Sequence, residues 1–458
     1  MRRVDAGPAP AQGLPPRTYD ERQPVSATDT AAATVPAPAQ DPGPAQGPGE
    51  PGAEVVCLGE SMVTFVPQAT GRLADVPAFT RAIGGAESNV ACALAAAGHR
   101  ARWVSRVGAD GFGEHLVDAI AAYGVDTSAV TRDPARPTGI YFRTAADRDA
   151  DAAFEVVYYR AGSAASAMSP HTVPLDTLRD TRVLHVTGIT AALSPDCLAL
   201  LRTLTERAAG RPLVSFDVNF RASLWPDKAA AGEVLLGLAR GADLVFVGED
   251  EAETAWGITG GPQAVRDALP EPTTLVVKQG ADGATVFTRE TVGAEARAGD
   301  GVTRAGDGAR GLRAAEVPAA TRTAPDAVVH EPAPRVDVVA PVGAGDAFAA
   351  GYLSGLLRDL PVAARLRQGH LLAANVLTVA ADLTTPPPRA LTDRLAALDA
   401  EAWSGLALGP GWTERYAAEG GAAADGGPAA DGGAVADGGA AGAGSSSGAD
   451  TGASEAGA

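Results

Sequence analysis

Apolar and polar positions alternate along this chain in two distinct rhythms. Short, almost wholly apolar runs at residues 55–58, 103–107, 183–187, 213–216, 244–247, 274–278 and 284–288 read as buried strands. Longer stretches with helical spacing lie between them. One opens at Gly84-Gly85, runs through Val90 and Leu94, and stops at Gly98. Others cover residues 116–123, 197–208 and 366–379, and one more follows Pro341-Val-Gly-Ala-Gly-Asp346, where Phe348, Tyr352, Leu353, Leu356 and Leu357 recur at helical intervals. Such alternation predicts an α/β fold with a mostly parallel sheet covered by helices.

Residues 138–160 break the rhythm. The segments 139–143 and 154–160 are rich in aromatic and β-branched residues and flank a charged loop at 147–151, so they read as an antiparallel hairpin. Residues 62–80 hold Val63, Phe65 and Val66 and then Gly and Pro, which fits short strands or loops. Residues 291–327 are rich in Ala, Gly and Arg with little pattern and read as a flexible surface insertion. Pro386-Pro-Pro388 ends the core pattern.

Composition sets the ends apart. Residues 1–53 are rich in Pro, Ala, Gly and Gln, and the segment 406–458 passes into repeats of Ala-Asp-Gly-Gly, so both are expected to be disordered tails around a domain at 54–405. Roughly 350 residues remain, enough for one large core with a small appendage. A formal net charge of −18 argues against nucleic acid and anionic membranes as partners. No apolar run reaches the ~18 residues of a membrane span, and Arg2 and Arg3 lack the apolar stretch of a leader peptide. Cys57, Cys92 and Cys197 are far apart in apolar surroundings, as reduced thiols of a cytoplasmic protein would be. Self-association is left open.

Candidate chemistry gathers at glycine turns. In Gly343-Ala-Gly-Asp346 the amides at a helix N-terminus form an anion site, and Asp346 stands in it. The helix dipole is expected to keep that carboxylate ionised, as a base for a hydroxyl attacking a phosphate. By itself the string reads equally well as an N-capping Asp on a core helix. A second glycine site, Ile83-Gly-Gly-Ala-Glu-Ser-Asn89, lets backbone approach a polyol and offers Asn89 as donor and acceptor.

Together the two sites resemble the paired signatures of the ribokinase-like (PfkB) carbohydrate kinases, over roughly residues 54–399. The resemblance implies a three-layer α/β/α sandwich with a small β lid built from residues 62–80 and 138–160. It implies phosphoryl transfer from ATP with Mg²⁺, with Asp346 as catalytic base and Gly343, Ala344 and Gly345 as the anion hole. Gly85, Ala86, Glu87, Ser88 and Asn89 would hold the sugar. The string Tyr158-Tyr-Arg-Ala-Gly-Ser and the segment Asp217-Val-Asn-Phe-Arg221 are similar to one branch, the 2-keto-3-deoxygluconate kinases. That likeness puts Tyr141, Tyr158, Tyr159, Arg160, Arg221 and Asp382 on an acidic sugar, with Arg221 on its carboxylate. It puts Asn219, Lys278, Gly280, Asp282, Gly283 and His370 along the ATP site. Glu251 would reach Mg²⁺ through water. Arg143 reads as a strand-face charge. Two positions depart from the family pattern: Ala340 stands in place of an Asp near a monovalent-cation site, and Gly248 in place of Asn. A kinase of a neutral sugar, of the fructokinase or ribokinase type, and a catalytically silent sugar-binding homologue are the alternatives.

Overall fold

Eight strands lie side by side in the order Ala327–Glu331, Ala284–Thr288, Thr274–Lys278, Leu244–Gly248, Leu213–Asp217, Val183–Thr187, Val55–Leu58 and Ala101–Val104. The last six are mutually parallel, and the first two are antiparallel additions at one edge. The computed structural model describes residues 52–69, 71–144, 156–225, 227–289 and 325–424, without the side chains of 419–424. Residues 1–51 and 425–458 of the tails, the loop 147–151 and most of the segment 291–327 therefore lie outside the described residues.

The strands read as continuous apolar runs because both faces of the sheet are covered. Side chains alternate across it. Val55, Cys57, Leu244, Phe246 and Val276 pack on the layer that holds Val90, Leu94, Phe348 and Leu353. Their neighbours Val56, Leu58, Val245, Val247, Leu275 and Val277 pack on Leu200, Leu235, Leu238 and Val265. The result is the expected α/β/α sandwich. Cys57, Cys92 and Cys197 are buried free thiols.

Beside the sandwich stands a four-stranded sheet in the order Phe79–Gly84, Met62–Pro67, Ile140–Arg143, Val156–Tyr159. The expected hairpin is present, with Tyr141 opposite Tyr158 and Phe142 opposite Val157. Period two sends Tyr141, Arg143 and Tyr158 to one face. Phe142 goes to the other, where it stacks on Phe65 with ring centroids 4.8 Å apart.

Several boundaries depart from the sequence pattern. Phe79–Gly84 is a lid strand, so the first helix spans Ala86–Ala96 and starts after the double glycine. The next helix begins at Gly111, because the Asp110 carboxylate accepts from the Phe112 and Gly113 amides and caps it. Ala327–Glu331 completes the large sheet, where a flexible insertion was expected to end. The chain also stays folded past residue 405. Ala407–Leu408 pairs with Arg335–Val336, and Trp412 is buried beside Leu371, Leu391 and Trp403. The tail thus begins later than residue 406: the elements Ala400–Ser404 and Ala407–Leu408 are too short to show an apolar period. None of the described helices is long and apolar enough to cross a membrane.

Candidate active site

The carboxyl ends of the parallel strands open into a cleft of about 370 Å³ beneath the lid. Ligands of open α/β sheets bind at this edge. At its floor the chain turns into the helix Ala344–Leu357. Gly343, the N-cap, has φ of +79°, and a Cβ there would run into the Asp382 carbonyl. Only glycine meets both demands. The first helical hydrogen bond runs from the Ala347 amide to the Gly343 carbonyl, so the amides of Ala344, Gly345 and Asp346 have no acceptor within the helix. Gly343→Ala is expected to lower stability by about 1–3 kcal/mol. Chemical denaturation checks it, and an unchanged midpoint would mean that the turn tolerates a side chain.

Asp346 is the third residue of that helix and does not cap it. Its Oδ2 accepts from Asn89 Nδ2 at 2.9 Å, and its Oδ1 takes a longer contact from Asn219 Nδ2 at 3.5 Å. Burial raises its pKa to about 7; Asp217 adds to the rise, while the Asn89 hydrogen bond, Arg221 and Lys278 oppose it. The expectation that the dipole keeps it ionised is thus corrected, because loss of water outweighs the helix end. A carboxylate poised near neutrality suits a general base. Asn219 reaches it by adopting φ of +40°, a left-handed conformation that Asn tolerates better than most residues. The Oδ1 atoms of Asn89 and Asn219 are buried without a partner among the described residues.

Asp217, at the end of its strand, faces Lys278, whose Nζ lies 3.2 Å from both carboxylate oxygens. Glu251 accepts from the Gly248 amide at 2.7 Å and the Phe220 amide at 3.2 Å. With Lys278 at 4.0 Å and Arg221 at 3.8 Å, it is flanked by cations as well. Both its oxygens are engaged by backbone, so Glu251 fits poorly as a metal ligand. No group of three or more metal-binding side chains occurs among the described residues.

On the lid side, Arg143 is 7% exposed and pairs with Asp382 at 2.8 Å, while the Tyr141 hydroxyl donates to the other Asp382 oxygen at 2.6 Å. Arg143 is therefore a buried cleft residue and not a strand-face charge. Arg160 pairs with Glu60, which also accepts from Ser163 Oγ at 2.6 Å. Gly84 and Gly85 owe their lack of side chains to this packing. A Cβ on Gly84 would strike the Tyr141 hydroxyl, and one on Gly85 the Glu60 carbonyl.

Of the expected site residues, Gly85, Ala86, Asn89, Tyr141, Tyr158, Arg160, Asn219, Arg221, Glu251, Lys278, Gly343, Gly345 and Asp346 border the cleft. Glu87 does not. It is wholly buried and accepts from Thr187 Oγ1 at 2.8 Å and Thr190 Oγ1 at 2.7 Å, because its position on the helix turns it toward the sheet. Ser88 bonds Ser61 instead. Tyr159 sits on the far face of its strand and is 62% exposed. Asp382 lies behind Tyr141 and Arg143. His370 is buried with its Nε2 3.1 Å from the Glu331 carbonyl and its ring against Phe348. Gly280, Asp282 and Gly283 form a turn beyond Lys278 that does not line the cleft. Asp217 and Glu60 line it without having been given a role, and Arg143 lines it in place of the strand-face position expected of it. Two of them carried a signal, an acid at or just past the end of a strand.

This fold and floor, an anion turn with a poised carboxylate under a β lid, define a phosphotransferase-like α/β protein. A family model described as pfkB family carbohydrate kinase matches residues 53–311 and 302–388, and the chain belongs to that family. It is accordingly a carbohydrate kinase, as the paired glycine sites implied. The chain is 33% identical over 341 residues to a 2-dehydro-3-deoxygluconokinase of Bacillus subtilis (strain 168), covering 73% of this chain and 93% of that one. It is 28% identical over 337 residues to a probable chloroplastic fructokinase-6 of Arabidopsis thaliana, covering 71% and 77%. Among solved structures, a PfkB protein from Polaromonas sp. JS666 is similar with a TM-score of 0.59 and 32% identity, covering 76% of this chain and all 100% of that one.

Proposed function

We propose that the protein transfers the terminal phosphoryl group of ATP to a hydroxyl of a 2-keto-3-deoxy sugar acid of the 2-dehydro-3-deoxygluconate type. One observation carries the choice of an acid. Arg143 and Arg160 are buried against carboxylates of the protein, whereas the Arg221 side chain is 52% exposed, donates to the Phe220 carbonyl at 3.1 Å and stands 3.8 Å from Glu251, with further donors turned to the cleft edge. A largely exposed guanidinium with donors to spare matches a substrate carboxylate better than the hydroxyls of a neutral sugar. The similarity to a 2-dehydro-3-deoxygluconokinase over 93% of its length supports the same reading.

In the reaction, Asp346 takes the proton of the attacking hydroxyl as its oxygen bonds to phosphorus and the bond to the ADP oxygen breaks. The amides of Ala344, Gly345 and Asp346 receive the negative oxygens of the group in transit. Asn89 and Asn219 hold the base in line through their side-chain amide donors. Mg²⁺ would ride on the nucleotide phosphates with its waters, neutralising their charge, rather than on a protein cluster. The purine lies elsewhere than at His370, which is committed to the core.

A panel of 2-dehydro-3-deoxygluconate, fructose and ribose, read by ADP release, tests the proposal. The acid should exceed both neutral sugars in kcat/KM by roughly 100-fold, the worth of one well-made charged contact. Preference for fructose or ribose would replace the acid-sugar reading with the neutral one.

A further inference from the structure

Lys278 ends the strand Thr274–Lys278, and its Nζ stands over the anion turn, such that a Cβ on Gly345 would lie 3.6 Å from it. Two of its three protons are spoken for by the Asp217 oxygens at 3.2 Å, and Glu251 at 4.0 Å is beyond hydrogen-bond reach. The third is left for the cleft that Lys278 lines, from which 20% of the side chain is accessible. Asp217 itself is only 2% exposed. Glu251 cannot follow the ammonium, since its own oxygens hold the Gly248 and Phe220 amides.

We infer that Asp217 is a positioning residue that holds the Lys278 ammonium over the anion turn to meet the transferred phosphoryl group, and that the pair balances the charge around Asp346. The inference rests on Asp346 acting as the base. A buried ion pair is a poor source of stability, because desolvation offsets most of its attraction. Placed at the floor of a cleft with a free proton, it is instead a fixed cation ready for an anionic guest. Lys278 stays charged there: burial lowers its pKa, but Asp217 and Glu251 outweigh burial and the net shift is upward.

The two partners act on Asp346 with opposite sign. Asp217 raises its pKa and Lys278 lowers it. The other charges around it are Arg221, which lowers it, Glu251 in the helix Glu249–Trp256, and Asp382 behind Gly343. Arg143, Arg160 and Glu60 face the cleft from the lid or the first strand as paired charges.

The test is the pH dependence of kcat for Asp217→Asn, Lys278→Met and the double variant, with KM for ATP alongside. Lys278→Met should lower kcat about 100-fold, with KM for ATP changed far less, and move the acid limb up by about one pH unit. Asp217→Asn should lower kcat about 10-fold and move the limb down. The double variant should return it near the wild-type position. Limbs that stay put or move together, or losses confined to KM for ATP, would overturn the inference while leaving the kinase reading intact. A wild-type protein inert on every sugar of the panel would overturn both. Thermal melts confirm folding, and Asp217→Ser replaces Asp217→Asn if the latter does not fold.

Discussion

Replacing Asp346 with Asn will lower kcat by roughly 1,000-fold or more while leaving ATP binding intact, because the substitution removes the base and keeps the amides that bind phosphate. Asn retains the size of the side chain and one of its two acceptor oxygens, so the stronger contact, from Asn89, can be kept. Coupled ADP release and direct titration with ATP separate the two effects. A well-folded, active variant would remove Asp346 from its assigned role. The wild-type profile carries the same signature: a base works ionised, so kcat should rise with pH through a limb near the pKa of about 7. The same raised pKa acts on stability. A carboxylate whose folded pKa lies above its unfolded value is held against its charge in the native state, so stability is lost as pH rises through the folded pKa. Asp346→Asn should therefore melt higher than wild type at pH 8 and show no such advantage at pH 4. An activity-bearing group that costs stability is the expected trade at a catalytic centre.

Arg221→Ala will raise KM for the sugar acid by roughly 30-fold, about 2 kcal/mol for one charged hydrogen-bonding contact, with KM for ATP within about twofold. Arg221 also lowers the pKa of Asp346. The comparison therefore belongs above pH 8, where the base is ionised in both proteins and only binding differs. Arg221→Lys should recover little, since a point charge does not reproduce a two-pronged match to a carboxylate. Equal losses for sugar and ATP would show that Arg221 serves the whole cleft and not a substrate carboxylate.

Much of the frame was legible in the chain because its signals are local. The strands at 55–58, 183–187, 274–278 and 284–288 lie where the apolar runs put them, since a strand covered on both faces writes itself as a continuous run. Gly343 announced its turn because no other residue accepts that backbone against the Asp382 carbonyl. The misreadings share one cause. Glu87 lies two residues from Asn89 but faces Thr187 and Thr190, 100 and 103 residues away, and only the packing of the helix on the sheet turns one inward and the other to the cleft. Arg143 looked like an exposed strand charge until Asp382 met it from beyond the helix Val362–Leu377. His370 was offered to a nucleotide by its place in the family pattern, and Phe348 and the Glu331 carbonyl enclose it.

The residues in order dictated the alternation of strand and helix, the two glycine turns and the kind of chemistry that an acid in an anion turn can perform, because torsion and periodicity are properties of neighbours. The folded form alone set which groups share the cleft and in what state of charge. Asn89 meets Asp346 across 257 positions of chain. Whether that carboxyl holds a proton depends on water excluded and on Asp217, Arg221 and Lys278 brought close. Solvation and Coulomb forces act through distance in space, which the order of residues does not record.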